Sequence, residues 1–367
     1  MKVTNKQPQL YISNITSLIL PICLAIFIYV VSYFPALIET YYSLKIYQFI
    51  ADFQRIVTGF IPFSIGDIFY TILAINGIFW VMKFIRLIIK KQFSKRHFMV
   101  GGIKNFKLFL WLYIVFNTLW GLNYNRLGIG SQLHLQQTNY TTAELSTMTC
   151  DIVDKLNSSR LALGDTNYQY PKHTVIYTQA YSAYTQAHQN FSFLDYKYYS
   201  VKSSLLSLVV SYAGYSGYYN PFTGEAQLNN DLPDFLLPFV TCHEMAHQIG
   251  YASESEANFA GYLVATHSNN KLFIYSGYFD IFMSANAELL SKDFYAGYLN
   301  LLQLNSLVKK DRKTYRTYVI GKKNNMQPII SNIYDQYLKA NQQKSGINSY
   351  NEVVGFLIAY KKKYGTI

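Results

Sequence analysis

Apolar residues follow two regimes along this chain. Over roughly the first third they come in long unbroken runs, and beyond residue 122 they recur at the spacing of amphipathic elements. No residue from Gln7 to Ile38 is charged, and Ile15 to Phe34 is almost wholly apolar. That length suffices to cross a hydrocarbon core about 30 Å thick. The run is too long for a secretory signal and lacks a small-x-small cleavage site, so it predicts an uncleaved span at about 15–35. Two further runs, about 68–89 and 104–122, predict a second and a third transmembrane helix, the third being the shortest. The link Ile38 to Phe60 carries Tyr, Ile and Phe at mixed helical spacing and is expected on the outer membrane surface.

After the third run the pattern becomes that of a globular domain. Asn123 to Tyr140 is polar, with Gly128 and Gly130, as suits a chain leaving the bilayer. Thr141-Thr142-Ala143-Glu144 has the form of a capping box opening a helix to about Leu156. Thr174-Val175-Ile176-Tyr177 reads as a short strand. Gly214 to Asn229 mixes turn residues, aromatics and alternation, and predicts a hairpin whose edge strand pairs with an extended substrate. Beyond Leu272 the spacing is helical to the end, with Ser349-Tyr350-Asn351-Glu352 capping a last helix that runs to about Lys363. The expected fold is mainly α with a small β component (α+β). A membrane domain over 1–122 precedes an extracytoplasmic domain over 123–367 with a helical C-terminal part.

Charge assigns the sides. Only 14% of residues are charged and half are hydrophobic, the balance of a membrane protein. Lys83, Arg86, Lys90, Lys91, Lys95, Arg96, Lys104 and Lys107 crowd the second link, whereas Glu39, Asp52, Lys45 and Arg55 cancel in the first. Positive residues stay in the cytoplasm. The N-terminus is therefore expected inside and everything after Leu122 outside, in a multi-pass protein of the cytoplasmic membrane. Residues 1–122 hold 12 Lys and Arg against 3 Asp and Glu, so the basic balance is a topology signal and not a nucleic-acid footprint. Three cysteines do not make a disulfide scaffold; Cys150 and Cys242 would share the outer side, their redox state open.

The candidate chemistry lies in His243-Glu244-Met245-Ala246-His247. On a helix, residues four apart share a face, so both imidazoles can grip one zinc ion while Glu244 reaches the water beside it. Pro238 suits the first turn of that helix and Gly250 its left-handed exit. A third protein ligand is needed. Glu254 and Glu256 compete for the position. If Glu256 folds back to cap Ser253, Glu254 is free to turn to the metal, with Asn258 one turn on to orient it. Cys242, a neighbour on the helix, points elsewhere, and His267 reads as a packing histidine.

H-E-x-x-H followed by Glu254-Ser255-Glu256-Ala257-Asn258 resembles the gluzincin group of metallopeptidases. The three spans, the Tyr219-Asn220-Pro221-Phe222-Thr223-Gly224-Glu225-Ala226 segment and that pairing together resemble a bacterial membrane family known as domain of unknown function 3810. The resemblance covers nearly the full length. It implies a zincin-like metallopeptidase domain behind membrane helices. Two departures stand out: the interval from His247 to Glu254 is short for a gluzincin, and Asn258 replaces the usual Asp. Ser253 occupies the third-histidine position of metzincins, which argues against that group.

The function expected is a zinc-dependent peptidase at the outer face of the cytoplasmic membrane. His243, His247 and Glu254 hold the ion, and Glu244 acts as general base. The expected partners are a peptide or protein substrate and membrane lipid, without nucleic acid; no pattern assigns an oligomeric state. A catalytically silent zinc-binding envelope scaffold or sensor is the alternative, and a transport protein ranks behind both.

Overall fold

The computed structural model describes residues 16–90, 95–136, 139–164, 168–341, 343 and 352–367. α1 (Ile19–Val31) stops ahead of Pro35. Phe34 sits at φ −117°, ψ 75°, because the residue before a proline is pushed out of the helical region. The chain then turns by 98° into a π-helical stretch (Ile38–Ile46) and α2 (Tyr47–Gly59). α3 (Ile65–Ile89) and α4 (Lys95–Leu119) follow.

α3 has 25 residues, about 37 Å at 1.5 Å per residue. Among the described residues it is the one helix long and apolar enough by itself to cross a membrane, and its apolar stretch is unburied. Of the three spans expected, one meets that measure by itself. α1, with 13 residues, reaches only about 20 Å, and it meets the same measure only together with Pro35–Gly59 as a bent pair. α4 carries Lys104 and Lys107 and ends before Leu122. Pro35 breaks the first run, and two charges dilute the third.

The first link packs against the rest of the protein. α2 turns Tyr47, Ala51, Gln54, Arg55 and Thr58 into the protein and leaves Phe49, Phe53, Ile56, Val57 and Phe60 exposed. The start of α3 is locked in as well: Ser64 Oγ accepts from the Asp67 amide, and Glu225 accepts from the amides of Ile65 and Gly66 at 3.1 and 2.6 Å. A carboxylate there satisfies orphan N–H groups and faces the positive end of the helix dipole. The boundary expected at 122 is thus crossed by a packed interface.

The globular part opens with α5 (Thr142–Ala162), whose Thr141–Glu144 capping box forms as the residues predict and whose helix runs past Leu156. α6 (His173–His188) replaces the strand expected at Thr174–Tyr177. Those four residues favour a strand by type. The longer series Ile176, Tyr177, Ala180, Ala183, Tyr184, Ala187 has helical spacing and is buried, and packing overrides propensity. β1 (Val201–Ser203), α7 (Ser207–Ala213), β2 (Gly217–Asn220) and β3 (Glu225–Leu228) come next. The sheet order is β1-β3-β2, with β1 parallel and β2 antiparallel to β3, so β2 is an edge strand.

α8 (Leu237–Gln248) is buried along its whole length, packed by β2 and β3 and by α6, α9 (Glu254–Thr266) and α10 (Lys271–Lys292). α11 (Phe294–Gln303), α12 (Ser306–Lys322), α13 (Gln327–Ala340) and α14 (Val353–Tyr364) complete the chain. The cap expected at Ser349-Tyr350-Asn351 lies outside the described residues, while Lys361, Lys362 and Lys363 occupy the last turn of α14. The protein is mostly helical with a small sheet.

Candidate metal centre

α8 ends as its glycine dictates. Gly250 adopts φ +98°, its amide bonds the His247 carbonyl at 3.0 Å, and the Tyr251 amide bonds the Ala246 carbonyl at 3.1 Å. These two bonds make a Schellman turn. The reversal brings the Tyr251 carbonyl to 2.6 Å from His247 Nδ1. A carbonyl only accepts, so Nδ1 carries a proton and Nε2 is the nitrogen left to face the cluster.

His243, His247 and Glu254 converge. One ligand atom from each lies within 4.8 Å of the others, and all three residues are buried. Glu254 Oε2 is 3.3 Å from His243 Nε2 and 3.8 Å from His247 Nε2. The close approach of α9 to α8 rests on Gly261, where a Cβ would stand 3.2 Å from the His243 amide nitrogen. Two imidazole nitrogens and one carboxylate oxygen form a donor set that suits a divalent cation of intermediate softness. Burial pushes the His243 imidazole down, but the Glu254 hydrogen bond and the charges of Glu244 and Glu254 outweigh it and lift the pKa to about 9. On Glu254, burial acts upward and the two imidazoles prevail, holding the carboxyl well below its usual range. The buried carboxylate and the two imidazoles are thus paired with one another.

The two competing carboxylates are separated by the fold. Glu254 faces the histidines, and its Oε1 accepts a hydrogen bond from the Tyr334 hydroxyl on α13. Glu256 neither joins them nor caps Ser253; its Oε1 accepts from the Ile129 amide at 2.7 Å. Burial raises its carboxyl against the charge of Arg126 and that amide bond. The capping box is therefore absent, and Ser253 Oγ pairs instead with Ser255 Oγ at 2.8 Å. Asn258 is buried on the same helix, but the bond that orients Glu254 comes from Tyr334.

Glu244 lies beside the cluster with Oε2 buried and without a hydrogen-bond partner among the described residues. Burial, partly offset by the two imidazoles, raises its pKa to about 7. Gly217 on the edge strand β2 lies against it: a Cβ there would be 2.8 Å from Glu244 Oε1 and 3.0 Å from its Cγ. Asp280 on α10 feels His243, and burial outweighs that attraction to raise its pKa to about 6.

The carbonyls that α8 leaves at its C-terminus are capped from the N-terminal third of the chain. Trp120 Nε1 and the Tyr47 hydroxyl donate to the His247 carbonyl at 3.2 and 3.3 Å. Arg55 Nη1 donates to the Gln248 carbonyl at 2.8 Å, and Arg126 Nη1 to that of Gly250 at 3.0 Å. Arg126 is itself held by Glu39 through two bonds of 2.7 and 2.9 Å, and it stacks over the Tyr251 ring. No spacing rule announced Tyr47, Trp120 or Tyr334. The charges of Glu39 and Arg126 beside apolar runs were the available signal. His267 stays away from the cluster, closing α9 with Nδ1 2.9 Å from the Leu263 carbonyl and its ring edge-on to Phe191. Cys150 and Cys242 are both free thiols.

The profile of a family described as "Protein of unknown function (DUF3810)" matches residues 42–358, a stretch that takes in α2, every residue of the cluster and α13. No curated protein and no solved structure gives a match.

Proposed function

The chain belongs to the DUF3810 family, and from that premise we propose that it is a membrane-anchored, zinc-dependent peptidase of zincin-like, gluzincin type. The observation that carries this reading is the meeting of His243, His247 and Glu254 beside a buried, unpartnered oxygen of Glu244. Zinc, when bound by those three residues, supplies Lewis acidity that acidifies a water and draws charge from a scissile carbonyl. Glu244 takes the proton of the attacking water and returns it to the leaving amine, a role worth about 10²–10⁴ in rate. His247 is held in the tautomer that leaves Nε2 free, and Tyr334 fixes the rotamer of Glu254. The free edge of β2 offers main-chain groups to an extended peptide, and Gly217 keeps that edge against Glu244.

The same contacts support a topology. The first link caps the end of α8, so residues 38–64 and the chain beyond 123 share one side of the bilayer. The basic second link then faces the other side, which the charge rule makes cytoplasmic. In this arrangement the N-terminal helices anchor the chain and the metal centre faces outward.

The test uses full-length protein in nanodiscs. Elemental analysis is expected to find stoichiometric zinc, lost in Glu254→Ala and kept in Glu244→Gln. Turnover of a peptide library by Glu244→Gln should fall at least about 10²-fold. Undiminished turnover would remove Glu244 from the mechanism. Zinc-loaded wild-type protein inert toward every peptide would make the domain a silent scaffold or sensor.

A further inference from the structure

α7 and α13 carry apolar stripes that none of the described residues covers. Leu208, Val209 and Tyr212 line the outside of α7, with Leu205 exposed just ahead of it and Leu208 and Val209 each 65% exposed. Met326, Ile329 and Ile333 recur at helical spacing on the outside of α13, Ile333 being 65% exposed. Single exposed apolar residues are ordinary, but a joined patch marks an interface. These stripes are joined: Asn324 Nδ2, ahead of α13, donates to the Tyr212 carbonyl at 2.7 Å.

The patch is also continuous with α3. The Leu205 amide donates to Asp67 Oδ2 at 2.6 Å in the first turn of that helix, where Ile68 and Ile72 are exposed. At the far end of α13, Tyr337 packs edge-on against Phe116 of α4, with ring centres 6.2 Å apart. Exposed Lys323 stands between exposed Ile320 and Met326, a cation placed to meet lipid phosphates. Between α7 and the α12–α13 turn lies a cavity of about 740 Å³ whose wall includes Tyr215, Ser216 and Tyr318. The Tyr215 ring is 5.4 Å from that of Tyr334, which bonds Glu254, and Ser216 precedes Gly217 beside Glu244. One helix, α13, thus offers Tyr334 to the metal cluster and Ile329 and Ile333 to the outside.

We infer that α7 and α13 lie in the headgroup layer at the Asp67 end of α3, and that the cavity between them receives polypeptide already held at the membrane surface. This deepens the peptidase reading and rests on α3 being a span. Lipid is the occupant the geometry favours. The patch grows out of the first turns of a helix that lipid must itself surround, so a protein partner would have to displace lipid from α3.

Bimane placed at Val209→Cys, Ile329→Cys and Ile333→Cys, in a Cys23→Ser, Cys150→Ser background in nanodiscs, reports contact with nitroxide-labelled lipid. Ile72→Cys on α3 and Lys155→Cys at an exposed position of α5 serve as references. Fluorescence is expected to be lost at 209, 329 and 333 as it is at 72, and retained at 155. Quenching at 72 alone overturns the rim and leaves the span reading intact, and a disulfide between copies through 333 would give the patch to a second chain. Quenching at none of these positions removes the span as well. For the cavity, a photoreactive peptide with and without a palmitoyl chain is compared by mass spectrometry of the cross-linked protein. Labelling of Tyr215 or Tyr318 only by the acylated form is the expected result. Equal labelling by both forms overturns the choice of tethered substrates.

Discussion

His243 and His247 sit one turn apart on the same helix and are held in unlike ways. Around His247 the side chain, the carbonyl and the following turn are all engaged: Nδ1 bonds Tyr251, the carbonyl accepts from Trp120 and Tyr47, and Arg126 ties down Gly250. Around His243 the packing is close but less bonded, with Nδ1 buried and unpartnered among the described residues. The difference has a positional cause. His247 lies where α8 ends, and a helix end leaves carbonyls that must find donors. His243 lies in mid-helix, where the backbone satisfies itself. Rigidity of the candidate site therefore comes from the end that the N-terminal segments cap, and changes far from the cluster can loosen it.

The largest effect should come from the group both histidines share. Glu254→Ala is expected to abolish zinc retention measured by elemental analysis, whereas Glu256→Gln should keep it, since Glu256 bonds the Ile129 amide and not the histidines. Equal loss in both would mean the two carboxylates are not separated as described. Arg126→Ala comes next. It strands buried Glu39, so denaturant unfolding should show a loss of about 3–5 kcal/mol, and zinc titration should show about 10–100-fold weaker binding through the His247 side. Gly250→Ala forces a left-handed backbone on a side chain and sets its Cβ 2.9 Å from Tyr47 Cε1. Unfolding should register at least about 1–2 kcal/mol. Trp120→Phe removes one donor to the His247 carbonyl, for a loss of about 1 kcal/mol with the fold retained. No change there would show that the His247 end is less dependent on these caps than the contacts imply.

The smallest effect is one of pH. Burial pushes the Glu39 carboxyl up, but the bonds and charge of Arg126, with help from Gln132 and the Gly128 amide, bring it below its ordinary value. A lowered carboxyl stabilises the fold fully above its unfolded pKa, about 4.3, and that contribution fades as pH falls through the lower folded value. Unfolding midpoints of the wild type and Glu39→Gln should therefore differ near neutrality and converge in acid. A gap that stays constant would deny the ion pair a part in holding Arg126.

Much of the site's local chemistry was legible before any coordinates. The interval from His243 to His247 sets one helical face, Gly250 permits the left-handed exit, Pro238 opens the helix, and the Thr141–Glu144 pair caps α5. Each depends on residues a few positions apart. Where the pattern misled, distant packing decided. Thr174–Tyr177 reads as a strand by residue type and folds as a helix because its apolar face meets α8. Ser253 and Glu256 have the letters of a capping box, yet Glu256 answers to Ile129, 127 residues earlier.

What the amino-acid order determined alone is the set of short-range geometries: which side chains share a helical face, where helices can begin and end, and that long apolar runs must avoid water. The separation of Glu254 from Glu256, the docking of α2 onto the end of α8, and the reach of Tyr334 from α13 belong to the tertiary structure. Those contacts join residues tens to hundreds of positions apart. Spacing along a chain carries no information about such pairs until packing has brought them together.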